Sequence, residues 1–292
     1  MTIREQYENR LKQKKEIRNH PMGRVLLDQE SRYMEPFKIY GNVYYVGDSW
    51  VCVHIVDTGD GLLMIDAGNC GATDMLIHTI WSSGFNPADI KWIVLSHGHV
   101  DHVGGVNFMR KMFGSKVYLG EPDALMFKEH PELSYIQDSA NIGDSIFEPD
   151  EIIHDGDIKK FGNTEIQFYM VPGHTMGTIA CFFNIFDGAE VKRAGYYGGF
   201  GFNTLQKNYL IEIGDIEYKN RQIYLNSLDK VRNENVDVFL GNHTNNNNLI
   251  EKVAYLKEHP DENPFVDTAE WGKYLDEKRD SLVEFMADPK NN

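Results

Sequence analysis

The sequence lacks the features that mark several classes of protein. Among its 292 residues there are only three cysteines, Cys52, Cys70 and Cys181, and they lie far apart. Three isolated cysteines do not form a disulfide framework, which favours a protein of the reducing cytoplasm. No run of 18 apolar residues occurs, so no segment is predicted to span a membrane.

Positive charge is also scarce. The chain has 29 Lys and Arg against 44 Asp and Glu, a formal net charge of −15, which argues against a nucleic-acid-binding surface because such a surface is basic. The first twenty residues are charged and lack the apolar core of an export signal. We therefore expect a cytoplasmic protein, although an exported chain whose signal had been removed would look the same.

The sequence does contain an alternation of apolar strands and helices. Residues 37–66 have the pattern of β-strands, and a second β-rich half follows; each half is succeeded by predicted helices. This pattern predicts an α/β fold in which two sheets pack between helices, a four-layer αβ/βα sandwich. We expect a main domain over residues 37–250. Residues 1–36 would be an N-terminal helical extension, and residues 251–292 a C-terminal helical extension of the same domain.

Metal-binding side chains are concentrated in one short loop. The segment VLSHGHVDHVGG, residues 94–105, places His97, His99, Asp101 and His102 directly after a predicted apolar strand. Residues two apart in an extended chain point the same way, whereas neighbours point apart. One loop could therefore serve two adjacent ions. Imidazole and carboxylate are ligands of zinc and related divalent ions.

Two further histidines follow predicted apolar strands in the same manner. His174 lies in MVPGHTMG and His243 in VFLGNHTNNN, so each repeats the order strand, tight turn, histidine. They complete a candidate set of six metal ligands: His97, His99, Asp101, His102, His174 and His243. The histidines at positions 20, 54, 78, 130, 154 and 259 lack this context. His54 alternates with apolar residues and is predicted to lie in the core.

These motifs resemble those of the metallo-β-lactamase superfamily. The resemblance rests on His-x-His-x-Asp-His, on Pro-Gly-His-Thr around His174, and on the late His243. The segment LLMIDAG is similar to the strand-end Asp-x-Gly of that superfamily, which implies that Asp66 supports a ligand or the loop backbone; a simple turn cap is the alternative. The resemblance covers about residues 37–250 and implies the superfamily's αβ/βα sandwich.

The sequence departs from the common pattern of the superfamily at one ligand, and this departure indicates a particular subclass. Most hydrolases of the superfamily carry an aspartate between their last two histidine ligands that bridges both ions, but residues 191–205 contain no carboxylate and no cysteine. Asp187 lies in a predicted turn and Asp215 heads a predicted helix, so neither fits. The remaining pattern resembles the third metallo-β-lactamase subclass. That resemblance implies a first ion held by His97, His99 and His174, and a second ion held by Asp101, His102 and His243.

The resemblance implies two zinc ions, although iron and manganese also bind such ligands. Ions about 3.5–4 Å apart can share one water and lower its pKa, and the hydroxide attacks a carbonyl carbon. We therefore expect a hydrolase that cleaves a small cyclic amide or ester, of the β-lactam or lactone class. Asp101 would bind the second ion and also act in catalysis by orienting the nucleophile.

Other members of the superfamily leave alternatives open. A thioester hydrolase of the glyoxalase II type usually keeps the bridging aspartate that is absent here. A persulfide oxygenase holds a single iron on a closely similar loop. A diiron oxidoreductase typically has an acidic residue at the position of His99, which argues against that class. A non-catalytic binding module is disfavoured because all six ligands are present.

Residues 123–150 break the alternation of strands and helices, and we interpret them as a long surface excursion that covers the metals. The excursion contains eight apolar or aromatic residues that suit a small-molecule pocket: Leu125, Met126, Phe127, Leu133, Tyr135, Ile136, Ile146 and Phe147. Packing onto the domain, or onto a second subunit in a homodimer, is the alternative. Tyr135 is a candidate catalytic residue because a phenol can donate a hydrogen bond to the attacked carbonyl oxygen.

Overall fold

The computed structural model describes residues 1–19, 30–136 and 146–292. His20 and residues 137–145, which belong to the predicted excursion, lie outside the described residues. Two β-sheets, one of seven strands and one of five, form the centre of the fold.

The seven-stranded sheet follows the order of the chain. Its first four strands pair antiparallel, and the pairs from the fourth strand to the seventh are parallel. The strands are β1 (Phe37–Tyr40), β2 (Val43–Tyr45), β3 (His54–Asp57), β4 (Leu62–Ile65), β5 (Ile90–Val94), β6 (Lys116–Gly120) and β7 (Glu151–Ile153).

The five-stranded sheet has the order β12-β11-β10-β9-β8. Its pairs are antiparallel except for β11 and β12, which run parallel because a helix connects them. The strands are β8 (Ile158–Phe161), β9 (Thr164–Met170), β10 (Ile179–Asp187), β11 (Glu190–Tyr197) and β12 (Val238–Leu240).

Eight α-helices complete the described fold. They are α1 (Ile3–Asn19), α2 (Thr73–Ser82), α3 (Val106–Phe113), α4 (Glu121–Glu129), α5 (Lys207–Glu212), α6 (Lys219–Val231), α7 (Leu249–Glu258) and α8 (Glu270–Ala287). Among the residues that the structure covers, none of these helices is long and apolar enough to cross a bilayer.

Alternating side chains of the central strands explain why their sequences are apolar throughout. In β4, Leu63 and Ile65 face the core between the two sheets, whereas Leu62 and Met64 face the helices on the outside. Strand β10 likewise divides its side chains between the inter-sheet core and a third cluster under α6 and α8. Both faces of each sheet are therefore buried, and the predicted four-layer α/β sandwich is confirmed.

The C-terminal helix α8 contributes to the third apolar cluster. Trp271 and Leu275 are buried one turn apart, and the Trp271 indole N–H donates to the carbonyl oxygen of Val231 at 2.9 Å. The indole also packs edge-on against Phe182 and Phe239. Helix α8 thus covers the outer face of the five-stranded sheet.

The interpretation of residues 123–150 as a surface excursion is wrong for their first part. Residue 123 lies inside helix α4, in which Asp123 and Phe127 are buried. Phe127 packs edge-on against Phe147 at a ring-centroid distance of 5.1 Å. The physical reason is the parallel pairing of β6 and β7, which requires a crossover connection. Of the predicted lining residues in this helix, Leu125 is the exposed one, at 50%.

Candidate metal centre

Four strands end at the same edge of the two sheets, and each is followed by a polar side chain of the candidate site. Asp66 follows β4, and the His97 loop follows β5. His174 comes after β9, and His243 after β12. The structure brings all six predicted ligands together: the His97 and His174 rings lie 4.7 Å apart, and the His102 and His243 rings 5.1 Å.

His97, His99 and His174 form the first group. One nitrogen from each of these buried imidazoles lies within 4.8 Å of the others. His97 Nε2 and His99 Nδ1 are 3.0 Å apart. Three converging nitrogens are a ligand set that zinc accepts in sites with an open position.

Asp101, His102 and His243 form the second group. Asp101 Oδ2 lies 3.5 Å from His102 Nε2 and 3.6 Å from His243 Nε2, and these two nitrogens are 3.3 Å apart. Ligand atoms around a tetrahedral zinc ion are about 3.3–3.4 Å apart, given zinc–nitrogen bonds of about 2.0–2.1 Å. His97 also lies within 4.8 Å of the Asp101 and His102 ligand atoms. The two groups therefore adjoin.

Hydrogen bonds to backbone carbonyls orient two of the imidazoles. His174 Nδ1 lies 2.9 Å from the carbonyl oxygen of Gly201, and His243 Nδ1 lies 3.2 Å from that of Trp50. A carbonyl oxygen only accepts, so each Nδ1 carries the proton and each Nε2 presents its lone pair to the cluster.

Asp66 lies behind His102 and outside the two ligand groups. Its Oδ2 accepts from His102 Nδ1 at 2.8 Å and from the Tyr196 hydroxyl, and its Oδ1 accepts from the backbone N–H of Ser96 at 2.7 Å. The residue is fully buried, with a left-handed backbone (φ 62°) that a non-glycine residue seldom adopts. These contacts hold the His102 ring and the start of the ligand loop.

Burial controls the protonation of the histidines. It lowers the pKa of His97 and His99 well below the usual value, and that of His174 and His243 to about 4. For His102, burial also lowers the pKa, but the charges of Asp101 and Asp66 outweigh it and raise the pKa.

Asp101 is held as a carboxylate. Burial raises its pKa, but the charges of His102 and His243 lower it by more, so the net pKa is reduced. Imidazole nitrogens with exposed lone pairs and one ionised carboxylate are the donors that zinc prefers. The residues present therefore fit two divalent ions.

The cluster opens on a cavity of about 440 Å³. Tyr135 forms part of its wall: its ring lies 4.9 Å from the His99 ring, and its hydroxyl accepts a hydrogen bond of 3.1 Å from Asn203 Nδ2. Trp50 forms another wall, 5.1 Å from the His243 ring. The cavity is otherwise lined by Val100, Asp101, His174, Phe200, Gly201, Asn242, Asn245, Asn246 and Lys278.

The structure places no second carboxylate on this cavity among the described residues. Asp187 is the exposed last residue of β10, where a turn was predicted, and Asp215 accepts from the backbone N–H of Lys219 at 2.9 Å. The segment after β11 passes close to the ligands. A Cβ on Gly199 would lie 2.5 Å from His174 Cδ2, so no side chain fits there.

The remaining described histidines stay outside the cluster. His54 is buried and lies 2.9 Å from the carbonyl oxygen of Gly241, near the His243 loop. Those at positions 78, 130, 154 and 259 are exposed. Sequence reasoning missed two residues near the site: Asp123, whose place in the first turn of α4 is typical of an ordinary helix end, and Lys278, which lies on a charged C-terminal helix.

Comparison with known proteins agrees with this geometry. Residues 45–185 match the family model described as Metallo-beta-lactamase superfamily. The chain is similar in structure to BJP-1, a subclass B3 metallo-beta-lactamase of Bradyrhizobium japonicum, with 26% identity and a TM-score of 0.75. That match covers 89% of this chain and 97% of the other. Residues 45–185 therefore form a domain of the metallo-beta-lactamase superfamily, and its similarity to metallo-beta-lactamases identifies a metal-dependent hydrolase.

Relatives that are similar in sequence are named for a different activity. The chain is 32% identical over 130 residues to "Hydroxyacylglutathione hydrolase GloC" of Haemophilus influenzae, a match that covers 44% of this chain and 58% of that protein. A "Hydroxyacylglutathione hydrolase" of Pelagibacter ubique is 25% identical over 181 residues, a match that covers 60% of this chain and 66% of that protein. The chain thus spans less than two thirds of the length of each of these relatives.

The geometry of the second group gives the first testable prediction. Replacing His243 with Ala would remove one of the three predicted ligands of the second ion and none of those of the first. The variant should therefore retain one tightly bound ion per chain and bind the other about 10-fold or more weakly, as measured by competitive zinc titration. His154→Ala, which removes an exposed histidine, is the control. Two tightly bound ions in His243→Ala would show that His243 is not a ligand.

Proposed function

We propose that the protein is a dinuclear zinc hydrolase that cleaves the carbonyl bond of a small cyclic amide or ester, of the β-lactam or lactone class. The observation that supports this most is the pair of adjoining ligand groups, one of three imidazoles and one of a carboxylate with two imidazoles. The structural similarity to a subclass B3 enzyme supports the same substrate class. The cavity is of a size that small-molecule sites have.

Each ligand side chain has a defined part in this proposal. His97, His99 and His174 would hold the first ion, and Asp101, His102 and His243 the second. Zinc bound in such a site lowers the pKa of a coordinated water and polarises a carbonyl group.

Other side chains act on the substrate in this proposal. The second carboxylate oxygen of Asp101 orients the attacking water. The Tyr135 hydroxyl donates to the carbonyl oxygen as negative charge develops on it. Trp50 and Phe200 supply apolar walls that exclude water from the reacting carbonyl.

A thioester hydrolase is the second candidate. The similarity to two hydroxyacylglutathione hydrolases supports it. The ligand groups serve a thioester carbonyl equally well, because the attack is on the same kind of carbon. Among the residues that the structure describes, Asp101 is the only carboxylate that lines the cavity, and this supports the cyclic amide or ester instead.

The proposed reaction predicts a strict zinc requirement. Removing the metal with a chelator should abolish hydrolysis, because the water then keeps its ordinary pKa, and adding zinc should restore it. Turnover is measured on one preparation with a β-lactam, a lactone and a thioester, and metal content is determined in parallel. Turnover of the thioester alone would replace the proposal by the second candidate. Activity that needs iron and oxygen, with zinc inert, would identify a mononuclear iron oxygenase.

The proposed role of Tyr135 predicts an effect on turnover without an effect on metal content or stability. Tyr135→Phe removes one hydroxyl at the cavity wall and should lower kcat about 10²-fold, with zinc content and thermal unfolding unchanged. Tyr209→Phe is the matched control, since its ring lies 6.4 Å from that of Tyr135 and lines a neighbouring cavity. Equal kcat values for wild type and Tyr135→Phe would remove this tyrosine from the catalytic machinery.

Lys278 predicts that the substrate carries an anionic group. Among the described residues it is the only Lys or Arg that lines the metal cavity, where it lies over the Tyr274 ring. Lys278→Met should raise KM about tenfold for a substrate with a free carboxylate and leave KM for its methyl ester unchanged. Lys278→Arg should retain the preference, and Lys273→Met, on the same helix, is the control. If the ratio of KM for the acid to KM for the ester is the same in Lys278→Met as in wild type, this role is contradicted.

A further inference from the structure

Asp123 is a buried carboxylate that contacts both loops of the first ligand group. It is 1% exposed and lies in the first turn of α4. Its Oδ2 accepts from the backbone N–H of Gly98 at 2.7 Å and from the Thr175 hydroxyl at 2.8 Å. Its Oδ1 accepts from the backbone N–H of Gly177 at 2.8 Å. One side chain therefore binds two loops that are far apart in sequence.

The positions of the three donors connect Asp123 to all three ligands of the first ion. Gly98 is the residue between His97 and His99, and Thr175 directly follows His174. The Gly98 N–H belongs to the peptide unit that joins this residue to His97, so its hydrogen bond holds the loop at a point between the two histidines. No donor to Asp123 comes from the Asp101–His102 or His243 segments.

Two glycines allow this contact. A Cβ on Gly177 would lie 2.5–2.6 Å from Asp123, and a Cβ on Gly98 would lie 2.7 Å from Met126 in the same helix. A side chain at Gly177 would push α4 away from its loop, and a side chain at Gly98 would require the end of the Met126 side chain to move. The close approach and the three hydrogen bonds show that α4 and the two loops form one packed unit.

We propose that Asp123 is the positioning residue of the first ion, because it holds the His97–His99 loop and the His174–Gly177 loop in the register in which the three imidazoles converge. Its negative charge also lies beside the one ligand group that has no carboxylate of its own. The inference rests on the proposed two-ion centre, and it adds a residue that acts on one ion and not on the other.

The contact has a second consequence for the cavity. The segment that begins with α4 returns to the ligand loop at its other end, where the backbone N–H of Val100 donates to the carbonyl oxygen of Ser134 at 3.0 Å. Tyr135 is the next residue. The segment is therefore anchored on the His97–Asp101 loop on both sides, by Asp123 and by Ser134, and Asp123 helps to set the place of the Tyr135 ring.

Asp123→Asn tests this role, because it keeps the shape of the side chain but faces three donors with one acceptor oxygen. The affinity for the first zinc ion should fall about 10- to 100-fold, and the affinity for the second should stay unchanged, in a competitive zinc titration. Cobalt-substituted protein identifies the ion by proton NMR. The first ion shifts the N–H signals of three imidazoles and the second ion those of two. The three-imidazole set should be the one that weakens.

Two controls separate positioning from general stability. Asp150→Asn removes a carboxylate that accepts from the backbone N–H of Val117 at 2.9 Å and touches neither ligand loop; both ions should bind as in wild type. Thr175→Val should weaken the first ion in the same direction by a smaller factor, and Thr175→Ser should restore it. The Thr175 pair decides the question if Asp123→Asn does not fold.

The result that overturns the inference differs from the one that overturns the proposed function. Unchanged affinities in Asp123→Asn, an equal fall for both ions, or the same selective loss in Asp150→Asn would each contradict the positioning role. A wild-type protein that binds fewer than two ions would contradict the two-ion centre itself. Neither measurement depends on knowing the substrate.

Discussion

The face-to-face packing of two sheets is the constraint on which the metal centre depends. Strands of both sheets share one apolar interior, and this places the ends of β4, β5, β9 and β12 at a common edge. Each ligand-bearing loop begins within a few residues of a buried strand end, so the spacing of the imidazoles is set by the spacing of the sheets. Large-to-small substitutions in the inter-sheet core would therefore disturb the ligand geometry as well as stability.

A second constraint arises because loops that carry ligands cannot satisfy their backbone groups in a β-ladder. Buried N–H groups need acceptors, and in this protein carboxylates supply them. Asp66 accepts from the start of the His97 loop, and Asp123 accepts from its middle. Asp48 accepts from the N–H groups of Trp50 and Val51, beside the carbonyl that orients His243. Asp66, Asp123 and Asp48, which lie outside the two ligand groups, thus hold the segments that carry the candidate ligands.

Much of this architecture could be predicted from the sequence, because each part has a local pattern. The order strand, turn, histidine occurs in consecutive residues, and it was enough to select His174 and His243 among eleven histidines. Continuous apolar strands likewise predict sheets that are buried on both faces. The local pattern of His54, alternating with apolar neighbours, correctly predicted a core position.

The remaining parts depend on contacts between distant residues. Asp123 is 25 residues from Gly98 and 54 from Gly177, and nothing near it in sequence distinguishes it from any acidic residue at a helix start. The sequence does not indicate helix α4, because its apolar residues Leu125, Met126 and Phe127 are consecutive and show no helical spacing. The place of this helix is set by the parallel pairing of β6 with β7. Lys278 lies on a helix with many charged residues, and nothing in the sequence of this helix indicates that Lys278 faces the cavity.

Gly199 limits how this chain can diverge from its relatives. Its missing side chain lets the backbone after β11 run against the His174 ring. Any substitution there would displace His174, a candidate metal ligand, before the new side chain could contribute to the site. A descendant could therefore gain an additional carboxylate at this position only after the backbone had moved. A single mutation at Gly199 does not produce such a site. Selection against the intermediate would keep such a lineage with one carboxylate among its ligands.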